Sequence, residues 1–334
     1  MNVVVLAGGV GGSRFLTGMR AHLREAHPDA ALTAVVNTSD DLWLAGLRIT
    51  PDLDTIMYAL AGINDTQRGW GRVGDTERVS GELREWGVGW PWFTLGDLDV
   101  SASIARTAWL RDGLPLHEVV ERLQARWPQI GARLLPATDD EVETHVIVDD
   151  PERPGQVPAQ RLEMHFQEWW TRYRAALPAL AFPQRGIESA TAAPGVLDAI
   201  ATADVVVLGP SNPVVSIGTI LNIPGVRDAV QSTPAPVIGV SPIISGAVVR
   251  GMADACLTAI GVDTDAAAVA RHYASRAAGG LLDGWLVDTA DADAVAGLAV
   301  DRIETRAVPL WMTDESLSAA IAREVLALAG ALRA

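Results

Sequence analysis

Unbroken β-branched runs alternate with helical apolar spacing along most of the chain. Asn2-Val-Val-Val-Leu6 predicts a buried parallel strand. Leu32–Val36, Val205–Leu208 and Pro236–Ile244 repeat the pattern, and Trp285–Asp288 and Val308–Met312 predict further strands. A helix opens at Phe15–Arg20. Helical spacing follows over 55–65, 76–86, 99–127, 196–203, 266–275 and 315–333. Leu134–Pro136 and Thr144–Val148 predict strands that rejoin the core. The alternation predicts an α/β fold whose core spans 1–51 and 131–334, with 52–130 as a mainly helical insertion.

The 334 residues suffice for one large or two modest domains, and the 49% hydrophobic content for a sizeable core. No apolar run approaches the roughly 20 residues of a membrane span. Met1–Leu6 reads as a strand rather than a leader, so no signal peptide and no membrane partner are expected. One cysteine, Cys256, excludes an intramolecular disulfide and suits a reducing cytoplasm; it is expected as a small core residue. A net charge of −15 repels nucleic acid. An anionic small substrate then needs helix amino-termini, arginines or a metal to reverse the sign locally.

Residues 37–55 concentrate that charge. Asp40, Asp41, Asp52 and Asp54 follow a predicted strand, with Pro51 at a helix start. Open α/β sheets place ligands beyond the carboxyl ends of their strands. Close carboxylates repel unless a cation or proton lies between them, and magnesium holding phosphate oxygens would relieve this. Asp40 and Asp54 are the first-choice metal ligands. Gly8, Gly9, Gly11, Gly12 and Ser13 form a glycine-rich turn between the first strand and helix, an anion cradle without a Walker lysine. Gly209–Gly218 is a second cradle, rigidified by Pro210 and Pro213 and carrying Ser211, Asn212 and Ser216. Arg250 can supply a guanidinium fork to phosphate. His145 and the pair Trp169 and Trp170 read as packing residues.

These motifs, with Pro51–Thr55, Arg68–Gly71, Leu95–Asp97, His165–Trp170, Ser241–Ile244 and Arg250–Asp254, run in order through nearly the whole chain. Together they resemble the 2-phospho-L-lactate transferase family of coenzyme F-420 biosynthesis, in its actinobacterial phosphoenolpyruvyl transferase branch. The resemblance implies a Rossmann-like three-layer core with a small helical domain, and a cytoplasmic homodimer. It implies magnesium-dependent transfer of a phosphoenolpyruvyl or 2-phospholactyl group from a guanosine diphosphate-linked three-carbon acid. The acceptor is 7,8-didemethyl-8-hydroxy-5-deazariboflavin (Fo), and GMP leaves. By the same resemblance Asp54 and Thr94 contact Fo, Asp97 belongs to the acceptor side, and the two turns hold the guanosine diphosphate. Asp54 or a neighbouring Asp would orient or deprotonate the ribityl hydroxyl. The family pattern Leu-Gly-Asp-Arg-Asp-Leu-Ala-Thr-His is here Leu95–Ser103, with Leu98 and Ser103 replacing Arg and His. Those groups serve either substrate or only the helix surface, and the sequence leaves both readings open. The alternative function is a nucleotide-sugar-binding regulator of the same superfamily, without transferase activity.

Overall fold

In a computed structural model, which describes residues 1–153 and 160–333, seven parallel strands form one sheet. They are β1 (Asn2–Ala7), β2 (Ala31–Val36), β3 (Arg133–Pro136), β4 (Val205–Leu208), β5 (Val237–Val240), β6 (Gly284–Val287) and β7 (Glu304–Ala307). Their spatial order is β7-β6-β5-β4-β1-β2-β3. Val3 pairs with Val205 on one side and Leu32 on the other. The chain runs outward from β1 to β3, then returns to the opposite edge of β1 as β4. Connections therefore diverge between β1 and β4, which opens a crevice at their carboxyl ends. The fold is the expected Rossmann-like α/β class.

Strand alternation divides the core into two layers. Val3, Val5 and Ala7 face one layer, Val4 and Leu6 the other. The first layer is covered by α1 (Gly9–Ala26), α2 (Pro51–Ala61) and the C-terminal helix Glu315–Arg333. Each fully buried aliphatic side chain there contributes roughly 1.5–3 kcal/mol. The stretch 52–130 is mainly helical: α2, then α3 (Arg78–Glu85), α4 (Asp97–Arg111) and α5 (Leu116–Gln124). Ile56, Met57 and Leu60 of α2, and Val119, Val120 and Leu123 of α5, enter the same core layer as α1.

Three local expectations are corrected. The predicted helix 99–127 is two helices, because Gly113 takes φ +91° and Pro115, in extended backbone, caps the start of α5. The last strand is Glu304–Ala307, not Val308–Met312; Pro309 ends the ladder, and Leu310 N–H donates instead to Asp288 at 2.8 Å. Thr144–Val148 does not rejoin the main sheet. It lies within a separate antiparallel sheet, Glu143–Asp149 against Arg161–His165 and Ala179–Ala181. Val146, Val148, Met164, Phe166 and Trp169 pack there with Val215 and the buried Cys256.

Candidate active site

Two turns meet at the divergence point. β1 runs into Gly8 and α1, and β4 into Gly209-Pro210-Ser211-Asn212. Ser211 Oγ accepts the Gly8 N–H at 2.9 Å and donates to the Gly8 carbonyl at 2.8 Å. A Cβ on Gly12 would lie 2.7 Å from that Oγ, and one on Gly11 would strike the Pro210 carbonyl. Glycine at 11 and 12 thus lets the two turns touch. α1 has no acidic residue in its first turn and no side-chain cap, so its free N–H groups offer an anion site. Ser216 faces Gly8 across the crevice.

Not every predicted ligand group faces the crevice. Ser13 Oγ donates inward to Val10 O at 2.9 Å. Asn212 Oδ1 accepts from Val214 and Val215 N–H at 2.9 and 3.2 Å, which makes it a helix cap. Arg250 donates to Arg68 O at 2.6 Å, and its guanidinium fills the space beside Gly69, whose φ is +81°. Arg14, in the second turn of α1, was not singled out as a ligand. Burial, then the Arg250 charge, lowers its pKa, so two like charges lie close to each other, and Arg14 Nη1 donates to Met312 O at 3.2 Å. Its position one turn after the glycines was the available signal.

The four aspartates separate. Asn37, at the end of β2, is the hub: its Nδ2 donates to Asp52 Oδ2 at 3.0 Å, and its Oδ1 accepts from Thr219 Oγ1 at 2.9 Å. Asp52 sits against Gly8 and Gly9. Burial raises its carboxyl to about 6, while Asn37 and the Gly9 N–H pull it down. Burial, then Asp52 and Asp41, raises Asp40 well above the usual carboxylate range. Asp41 is raised by burial and opposed by Arg48, 3.9 Å away, and by Arg106. The repelling pair is therefore Asp40 with Asp52. Asp54 instead binds Arg106, whose side chain is 1% exposed and also donates to Arg48 O at 3.1 Å. Burial raises Asp54 and Arg106 opposes it.

Asp97 accepts from Val79 N–H at 2.9 Å and from the Thr76 hydroxyl, which together hold its carboxyl below the usual range. It serves to fix α3. Thr94 is half-buried near Arg84, 3.5 Å away. Leu98 is exposed, whereas Ser103 is buried 3.4 Å from Arg106 Nη1. Of the two departures from the family pattern, only the second adjoins Asp54's partner. His165 is buried, and desolvation, then His145, lowers its imidazole to about 4. Its Nδ1 accepts the Gln167 N–H at 3.1 Å. Trp169 is wholly buried with Nε1 donating to Leu177 O at 2.8 Å, as a packing residue should be.

Buried polar atoms without partners gather here. Thr38, Asp40, Asp41 and His165 carry such atoms on the Asn37 side, and Tyr58, Arg72, Asp99 and Arg106 carry them on the Asp54 side. Native interiors satisfy most such groups, so this concentration marks space for ligand, ion or water. Asp99 and Asn37 were missed as site residues. Both are single polar residues in short motifs, and their burial depends on chain packing.

Fold and site together define an α/β protein with a glycine-lined anion cradle beside buried carboxylates. The chain belongs to the 2-phospho-L-lactate transferase CofD family, whose profile matches residues 3–318. It is similar to the phosphoenolpyruvate transferase of Nocardia farcinica, 54% identical over 328 residues, 98% of this chain and 95% of that one. It is also 54% identical to the phosphoenolpyruvate transferase of Streptomyces griseus over 334 residues, covering all of both chains. A UPF0052-family protein from Bacillus halodurans shares the fold at TM-score 0.60 and 15% identity, over 97% of this chain and 98% of that one. The chain is thus a phosphoenolpyruvyl or 2-phospholactate transferase.

Proposed function

We propose that this enzyme moves the phosphoenolpyruvyl group from enolpyruvyl-diphospho-5'-guanosine to the ribityl hydroxyl of Fo, giving dehydro coenzyme F-420-0 and GMP. One juxtaposition carries the reading: the phosphate cradle at β1 and β4 touches Asp52, and Asp54 lies two residues further along α2. The whole-length likeness to phosphoenolpyruvate transferases supports the enolpyruvyl over the lactyl donor, and enzyme over regulator. In this reading the diphosphate lies on the α1 amino-terminus and the Ser211–Ser216 turn. Asp54, held by Arg106, accepts a hydrogen bond from the acceptor.

Magnesium fits the carboxylates present. Among the described residues no group of three or more His, Cys, Asp or Glu converges on one point. Magnesium in phosphoryl-transfer sites needs only one or two carboxylates, with phosphate oxygens and water completing its shell. Asp40 and Asp52 supply two buried, mutually repelling carboxylates, and Asp40 Oδ1 has no partner. They would hold the ion, in place of the pair Asp40 and Asp54. A bound ion would neutralise charge on the diphosphate. The chain's own contribution is placement, with the acceptor oxygen in line with phosphorus and the leaving phosphate on fixed N–H groups.

The reading also makes the protein a cytoplasmic homodimer, which light scattering would weigh. Among the described residues no helix is long and apolar enough to cross a membrane. The decisive assay supplies Fo, magnesium and each donor, and follows product mass and GMP release. Dehydro product from the enolpyruvyl donor is expected. Faster turnover with the lactyl donor would reverse the donor choice, and no product from either would overturn the reaction.

A further inference from the structure

Asp99 stands in the first turn of α4 and is 6% exposed. Its Oδ2 accepts the Gly96 N–H at 3.3 Å, and its Oδ1 has no partner. The Tyr58 hydroxyl lies beside it, also without a partner of hydrogen-bond geometry. Tyr58 follows Asp54 by one turn of α2, so both look into one compartment. Arg72 lies over the Tyr58 ring at 5.8 Å, its Nε unpartnered. Gly71 closes the space: a Cβ there would come within 3.1 Å of Asp99 Oδ2.

Two carboxylates therefore share this compartment with different partners. Asp54 is bound to a buried guanidinium, and Asp99 is bound to no cation among the described residues. An ion-paired carboxylate orients a hydroxyl well but takes its proton poorly, because the guanidinium favours the charged form. An unpaired, desolvated carboxylate is the better base. Burial, and then the Asp54 charge, moves Asp99 to about 6, in the direction this requires.

We propose that Asp99 is the general base of the transfer and Asp54 the group that orients the acceptor. The assignment rests on the reaction proposed above, with the acceptor entering between α2 and α4. The hydroxyl proton passes to Asp99 Oδ1 as the acceptor oxygen bonds to phosphorus. The bond from that phosphorus to the GMP phosphate oxygen breaks, and GMP leaves with the electron pair. Asp99 then returns its proton to solvent.

Asp99→Asn retains an oxygen for the Gly96 bond and removes the proton acceptor. Its kcat should fall by about 10²–10³, with KM for Fo and for the donor held within about threefold. Asp99→Glu should recover about tenfold in kcat over the Asn variant, because it restores a base. A cap-only role predicts neither that split nor that recovery. An Asn variant with kcat within about threefold of wild type, a loss confined to KM, or a Glu variant no faster than Asn would overturn the assignment. Wild-type protein inert with Fo and both donors would remove the reaction itself, a distinct failure.

Discussion

Asp40 and Asp52 form one pair of carboxylates in the interior, and Asp54 and Asp99 another, each with one member in the first turn of α2. The first pair lies against the glycine turn, tied by Asn37 and, among the described residues, with no cationic side chain between its members. The second lies between α2 and α4, with one member held by Arg106. Residue type is the same and burial nearly so, Asp54 alone being partly exposed, and the partners differ. A repelling pair beside a phosphate cradle is suited to a metal, whereas a pair with one fixed cation divides into an orienting group and a base. Function here follows from where positive charge was placed.

The comparison breaks first at Asp54. Asp54→Asn should lower turnover by about 10²–10⁴, equivalent to roughly 3–5 kcal/mol, in a protein that still folds but melts lower, because the buried Arg106 guanidinium loses its carboxylate. Turnover near wild type would detach the orienting role from this residue. Next is Arg106→Met, which leaves Asp54 charged and alone. Urea unfolding should report a loss of about 3–5 kcal/mol, and adding Asp54→Asn should recover part of it.

Asp52 gives a smaller effect of opposite sign. Its folded pKa, about 6, stands above the unfolded carboxylate value. The folded state thus holds the proton more tightly, so stability without ligand falls as pH rises from about 4 to 6 and stays reduced above. Asp52→Asn should make the ligand-free protein more stable at pH 7 by up to about 3 kcal/mol, and no more stable below about pH 4. A destabilised variant at pH 7 would show that burial of the Asp52 charge is not what dominates there. Smallest is Ser211→Ala. It leaves the Gly8 N–H without its partner and should cost about 1–3 kcal/mol in urea, with a raised KM for the donor and little change for Fo.

The layered fold was legible because buried parallel strands such as Val205–Leu208 write themselves as continuous apolar runs. Thr144–Val148 carries the same local signal, and nothing in it says which sheet it joins. At the site, the cradles were legible because glycines and a Pro-Ser-Asn turn carry their backbone meaning locally. Ser211 and Ser216 lie at the crevice, but Asn212 and Ser13 spend their hydrogen bonds on their own turns. The aspartate pairing was not legible. Asp40 meets Asp52, and Asp54 meets Arg106 from 52 residues away, through packing that spacing does not encode. Asp99 was hidden for the same reason.

Hydrogen exchange read peptide by peptide tests the division of the site most directly. GDP with magnesium, added alone, should protect amides at 8–13 and 211–217. Fo alone should protect 54–58 and 94–106 and leave the glycine turn unchanged. Protection of the same peptides by both ligands, or of the glycine turn by Fo, would contradict two separate compartments for donor and acceptor.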